Sequence, residues 1–214
     1  MAHADRVVYA VDPATTALVS VDFQVGFGRG WASVPHADAA VRNFIDAAQA
    51  WREVGGTVIH VLTNLTPERG PTGRIVDFVP DIAKARAKDS PFAAFYDGVV
   101  KDGDILVCKT SFGAVISSDL LAQLRSRNFD TAVVAGLTTP ICVQTTVDGL
   151  SVSGIKVVLL EDACASQAIG GLSAEQAHRA AVDRMGYAFA QIETTAAFVA
   201  NAKAVRQHQS INAG

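Results

Sequence analysis

Three residues of this 214-residue chain combine reactive chemistry with a telling position. An acid, Asp22, closes the apolar run ALVSV; a base, Lys109, closes ILVC; and a thiol, Cys142, follows TAVVAG through LTTPI. In open α/β sheets ligands bind beyond the carboxyl ends of the strands, so the residue that ends each apolar run is where chemistry collects. A cysteine at a helix start beside a lysine has its thiolate stabilised by the helix dipole and by the ammonium. A carboxylate within reach can accept the thiol proton, and the set as a whole suits nucleophilic attack on a carbonyl. Each residue has a plainer reading when taken singly: Cys142 as a small apolar core residue, Asp22 as a loop cap, Lys109 as the solvated end of an edge strand. The occurrence of all three at strand ends favours the chemical one.

The remaining reactive residues have weaker claims. Cys108 lies next to Lys109 inside an apolar run, where strand alternation turns it to the opposite side, and it is expected in the core. Cys164, in EDACAS, is also expected to be structural. Three cysteines at wide spacing, without a CxxC, predict neither a disulfide framework nor a zinc knot. His60 falls in a strand run and His178 on an amphipathic helix, while His3, His36 and His208 sit in exposed or terminal segments; none has a metal-ligand spacing. GFGRG, Gly26 to Gly30, lacks the Lys-Ser/Thr ending of a phosphate loop and reads as a flexible turn.

The elements that must position these residues are short β-branched runs alternating with amphipathic stretches, the pattern of a parallel sheet covered by helices on both faces. Six strands are expected: the run before Asp22, Thr57 to Leu62, Ile105 to Cys108, Thr131 to Ala135, Ile155 to Leu160 and, with a weaker pattern, Ala188 to Ile192. Val41, Phe44, Ile45 and Ala48 recur at i, i+3, i+4, i+7 before the stop signal Gly55-Gly56, which predicts a helix. A second helix is expected from Ser117 or Ser118 through Leu120, Leu121 and Leu124, and a third from Ile141 through Leu150 to a stop at Gly154. A fourth opens at Ser173 with Gln176 three residues on, a capping-box spacing, and closes near Gly186. From Thr63 to about Gly103 the chain is rich in Pro, Gly and charge, with a weak helical signal over Ile82 to Lys88; such an insertion suits an active-site wall.

Bulk properties bound the function. Half the residues are hydrophobic and 18% are charged, enough for a substantial core, and nothing marks a seam, so one domain over residues 1–214 is expected. A net charge of -3 gives no electrostatic reason to expect nucleic acid or an anionic membrane surface. The start lacks the basic and apolar regions of a signal peptide, and no apolar run reaches the ~18 residues of a membrane span, so a cytoplasmic protein with a small-molecule ligand is expected.

Three segments carry a family resemblance. ALVSVDFQVGF, VCKTSFGAV and above all VVAGLTTPICVQTTVDGLSVSGIKVVLLEDACAS resemble the three blocks of the isochorismatase-like superfamily, over about Ala17 to Gly186. The resemblance implies a three-layer, Rossmann-like α/β/α fold with a six-stranded parallel sheet and a catalytic set of Asp22, Lys109 and Cys142. It also implies a cis peptide between Leu137 and Thr138, an oxyanion hole of the backbone N–H groups of Thr138 and Cys142, and a homo-oligomer, dimer or tetramer. Nicotinamidase-type members carry an Asp-x-His and a further His after the second strand; here that stretch reads TNLTPERGPTG, so neither a metal nor another cofactor is expected. The Asn-Asp that often follows the opening Gln is replaced by Val25-Gly26. Phe27 and Trp31, with Asn64 and Arg69 from the insertion, are the candidate substrate contacts. The presence of the cysteine points to small amides, N-carbamoyl and ureido compounds or maleamate-like acids. Two alternatives stay open: a vinyl-ether hydrolase of the isochorismatase kind, which needs Asp22 and Lys109 but not Cys142, and a non-catalytic member that binds a partner or uses Cys142 as a redox sensor.

Overall fold

The structure is a computed structural model and describes residues 8–29, 33–64, 74–78 and 90–212. Its centre is the run expected before Asp22, the strand β1 (Thr16–Val21), in which every residue is buried. A strand made only of apolar and small residues can be covered on both faces, which is what a parallel sheet with helices on each side requires. The other strands are β2 (Thr57–Thr63), β3 (Ile105–Lys109), β4 (Thr131–Leu137), β5 (Lys156–Ala165) and β6 (Gln191–Glu193). All pair in parallel, in the order β3-β2-β1-β4-β5-β6. The order reverses between β1 and β4, and the crevice opened there at the carboxyl ends of the strands is the general ligand position of such sheets.

Alternation along the strands divides the core into two layers. Leu18, Val58, Val133, Val158 and Leu160 face α2 (Ala37–Glu53) and α8 (Thr195–Asn212), where Trp51 packs on Phe198 with ring centroids 5.3 Å apart. Val19, Val21, Ile59, Val61, Val134 and Leu159 face α5 (Leu120–Ser126), α6 (Gln144–Val152) and α7 (Ala174–Ala188), meeting Leu124, Val147 and Met185. Each of these fully buried aliphatic side chains is worth about 1.5–3 kcal/mol of transfer free energy. The Ser173 hydroxyl accepts from the N–H of Gln176, whose side chain bonds back to the N–H of Ser173, so the expected capping box starts α7.

Several elements differ from expectation. Val25–Gly28 forms one helical turn, α1, where a flexible turn was expected, and Ile75–Phe78 forms another, α3, within the insertion. The second expected helix, α5, starts at Leu120 rather than at Ser117 or Ser118, and an unexpected turn, α4 (Ala114–Ser117), precedes it, because the hydroxyls of Ser117 and Ser118 bond back to the carbonyls of Gly113 and Ala114 while Ser118 turns extended. The sixth strand starts at Gln191, since the N–H groups of Phe189 and Ala190 are spent on the carbonyl of Met185 at the end of α7. The helix α8 was not anticipated. Cys108 is half-buried rather than in the core, because β3 is an edge strand and the face it shares with Leu106, 56% exposed, lies open. The helical signal over 82–88 lies outside the described residues.

Candidate active site

Asp22 is the first residue past β1 and takes φ +54, a left-handed conformation that Asp tolerates better than most residues. Its N–H still bonds the carbonyl of Val61 at 2.9 Å, and its side chain is fully buried. Lys109 ends β3, two strands away, and only a long side chain bridges that distance: its Nζ stands 2.8 Å from Asp22 Oδ2. Lys109 is 1% exposed, contrary to the solvated reading of a strand-end lysine. A buried lysine needs a partner, and removal of one member of a buried ion pair costs about 3–5 kcal/mol.

The strand between them supplies what the sequence reading missed. Thr63 ends β2 in register with Lys109, and its hydroxyl accepts from Lys109 Nζ at 2.7 Å and donates to Asp22 Oδ1 at 2.8 Å. Its main chain is gripped by Gln24, whose Oε1 accepts from the N–H of Thr63 at 2.9 Å and whose Nε2 donates to the carbonyls of Thr63 and Ala93. Gln24 thereby ties the returning end of the long insertion to the strand ends. The signal available in sequence was alternation alone: Ile59, Val61 and Thr63 share a face, and a polar residue ends it.

Cys142 reaches the same point from β4. Gly136, just before the strand end, has φ +149, and a Cβ there would lie 2.1 Å from the carbonyl oxygen of Val21, so only glycine lets β4 approach β1 this closely. The peptide between Leu137 and Thr138 is cis. A π-helical turn, Thr139–Val143, then feeds α6 and holds Cys142 Sγ 3.6 Å from Lys109 Nζ. The Thr146 hydroxyl bonds the carbonyl of Cys142, and the Thr139 hydroxyl meets His178 Nδ1 at 2.9 Å, fastening the turn to α6 and α7. Burial, assisted by Arg179, holds His178 below the usual imidazole range. Cys142 is 4% exposed.

The structure thus brings Asp22, Lys109 and Cys142 together with Thr63. Thr138 is buried beside the cysteine turn. Asn64 lies against Lys109, its N–H bonding that residue's carbonyl at 3.2 Å; its buried Oδ1 has no hydrogen-bond partner among the described residues, and it lines a cavity of about 430 Å³ with Thr63, Ser90, Pro91 and Ala93. Phe27 is buried and packs in the layer under α2. Trp31 and Arg69 lie outside the described residues. Among the described residues no group of three His, Cys, Asp or Glu side chains is placed to hold a metal ion, and no helix is long and apolar enough to cross a membrane. Burial pushes the Cys164 thiol up to about 12, consistent with a structural role. His60 belongs to a separate, largely buried chain, Ser20 to His60 to Asp104 to Arg52.

Comparison with known proteins gives the family. The isochorismatase domain model matches residues 16–197. The uncharacterized isochorismatase family protein YecD of Escherichia coli O157:H7 is 32% identical over 156 residues, which span 71% of this chain and 80% of that protein. Maleamate amidohydrolase of Pseudomonas putida is 24% identical over 149 residues, 68% of this chain and 70% of that enzyme. The crystal structure of a cysteine hydrolase from Pseudomonas syringae pv. phaseolicola superposes with a TM-score of 0.87 at 25% identity, covering 95% of this chain and 100% of that one.

Proposed function

The chain belongs to the isochorismatase family, and from that premise we propose that it is a cysteine hydrolase, one domain over its length, acting on a small amide or an N-carbamoyl or ureido compound. The observation that carries this reading is the buried Asp22–Lys109 ion pair with Lys109 Nζ 3.6 Å from Cys142 Sγ. The kinship with a maleamate amidohydrolase and a cysteine hydrolase supports the same class.

In the proposed reaction Asp22 takes the proton of Cys142, and the thiolate attacks the carbonyl carbon. The carbonyl electron pair moves to oxygen, which rests on the backbone N–H groups of Thr138 and Cys142. The tetrahedral adduct collapses as Asp22 returns the proton to the departing ammonia or amine, leaving a thioester. Asp22 then deprotonates water, which attacks the thioester; the thiolate departs and the acid product leaves. Lys109 holds Asp22 in place and, through its charge, favours the thiolate. Asn64 is the proposed substrate contact nearest this set. The working form is a homo-oligomer.

An ammonia-release screen over small primary amides and ureido acids, maleamate included, tests the reading. Release by the wild-type chain and its loss in Cys142→Ala are expected. No ammonia release, together with a vinyl ether cleaved equally well by the wild type and by Cys142→Ala but not by Asp22→Asn, would replace amide chemistry with vinyl-ether hydrolysis.

A further inference from the structure

The ammonium of Lys109 has three hydrogens, and three acceptors lie within hydrogen-bonding reach: Thr63 Oγ1 at 2.7 Å, the Ser111 carbonyl at 2.9 Å and Cys142 Sγ at 3.6 Å. Asp22 Oδ2 is 2.8 Å from the same nitrogen, yet it has no hydrogen-bond partner among the described residues. Lys109 and Oδ2 of Asp22 thus meet as charges. What reaches the carboxylate by hydrogen bond is the Thr63 hydroxyl.

The direction of that bond is forced. An ammonium only donates, so Thr63 Oγ1 accepts from Lys109, and its single hydrogen must go to Asp22 Oδ1, 2.8 Å away. A hydroxyl that accepts from a cation becomes a stronger donor. Oδ1 is thus anchored, and Oδ2 keeps its lone pairs for a proton. The anchor is itself fixed, since Gln24 holds both the N–H and the carbonyl of Thr63, and Thr63 is 2% exposed, out of competition with water.

We propose that Thr63 is a positioning residue of this site: its hydroxyl passes the charge of Lys109 to Oδ1 of Asp22 and reserves Oδ2 for the Cys142 proton. The proposal rests on the reading of Asp22, Lys109 and Cys142 as the reactive set. It requires the hydroxyl and not the bulk of the side chain. Loss of the hydroxyl frees Asp22 to rotate away from the thiol and cuts the path by which the Lys109 charge offsets the carboxylate, so the Cys142 thiolate forms less readily and reacts more slowly.

The test uses the full chain and iodoacetamide, with alkylation of Cys142 followed by peptide mass spectrometry from pH 5.5 to 9.5, so that no substrate need be known. Thr63→Val and Thr63→Ala are expected to slow alkylation at pH 7 by about tenfold and to move the pH midpoint upward, whereas Thr63→Ser stays within about threefold of wild type. If Thr63→Val does not fold by its thermal melt, Thr63→Ala carries the comparison. Wild-type rates in the hydroxyl-free variants, or equal slowing in Thr63→Ser, would overturn the proposal. Asp22→Asn separates it from its premise: a slow Asp22→Asn beside a normal Thr63→Val removes Thr63 alone. An unaffected Asp22→Asn removes the reactive set and Thr63 with it.

Discussion

Cys142 and Asp22 act on the same proton, so their substitutions are not independent. Cys142→Ala and Asp22→Asn should each lower amide turnover by at least about 1000-fold, and the double variant should be little worse than either, because nucleophile and base function as one unit. Steady-state kinetics on the amide found by the screen checks this. Their stabilities should differ. Cys142 lies among apolar side chains and leaves only a small cavity, whereas Asp22→Asn strands the buried ammonium of Lys109 and should cost about 3 kcal/mol in a urea melt. The three thiols offer a second check. Iodoacetamide should label Cys142 first although Cys108 is the more exposed, because only Cys142 stands beside an ammonium, and Cys164 last, since burial pushes its thiol up to about 12. Peptide mapping that finds Cys108 labelled first would mean that exposure outweighs electrostatic activation here. Exhaustive EDTA treatment should leave turnover unchanged, because TNLTPERGPTG has no histidine where metal-binding relatives carry theirs; activity lost to EDTA and restored by zinc, iron or manganese would contradict this.

At the scale of elements, the site depends on how closely β4 passes β1. Gly136 sits at a shift of register between β4 and β5 and takes a backbone conformation that a side chain strains, against a carbonyl that leaves no room for one. Gly136→Ala should destabilise the chain by about 3 kcal/mol or more, a large value that needs both causes. A thermal melt within a degree or two of wild type would show that the strands part without cost. The turn Thr139–Val143 and α7 are joined by the bond of Thr139 to His178, so the face of α7 that packs on the sheet also steadies the cysteine turn.

At the scale of the molecule, β1, β2 and the end of the insertion are held together by the chain Ser20, His60, Asp104 and Arg52, with Arg52 bidentate to Asp104. Burial holds His60 below 6.5, against the opposing pull of Asp104. The folded protein therefore keeps His60 neutral at a pH where the unfolded chain takes up a proton. The sign follows: stability is complete above pH 6.5 and falls as the pH drops into the interval beneath it, at up to about 1.4 kcal/mol per pH unit for this group. His178, also lowered by burial, adds in the same direction. Asp104 acts in a separate window: burial raises its pKa, but the bonds from Arg52 and His60 outweigh this and hold it below 3.8, so its contribution is lost only at more acid pH. Melting temperatures from pH 7.5 to 5 should therefore fall in the wild type and fall less steeply in His60→Gln; equal slopes would remove His60 from the account.

Sequence by itself determined the parts of this protein that depend on local pattern. β-branched runs marked the first five strands to within a few residues at most boundaries, except that β5 runs on past Leu160 to Ala165, periodic apolar positions marked α2 and α6, and the Ser173 to Gln176 spacing marked the start of α7. The positions of Asp22, Lys109 and Cys142 were legible for the same reason: strands of a parallel sheet all point their carboxyl ends to one edge, so a reactive residue at each end is placed without knowledge of strand order. What only the tertiary structure decided is what strand order controls. The order β3-β2-β1-β4 puts the end of β2 between Asp22 and Lys109 and so gives Thr63 its two partners. It makes β3 an edge, which leaves Cys108 half-exposed even as Lys109, one residue on and turned the other way, is enclosed. Strand order arises from pairing between segments far apart in the chain, as in Asp22 with Val61, 39 residues on, or Thr16 with Thr131, 115 residues on, and no window of sequence contains both partners.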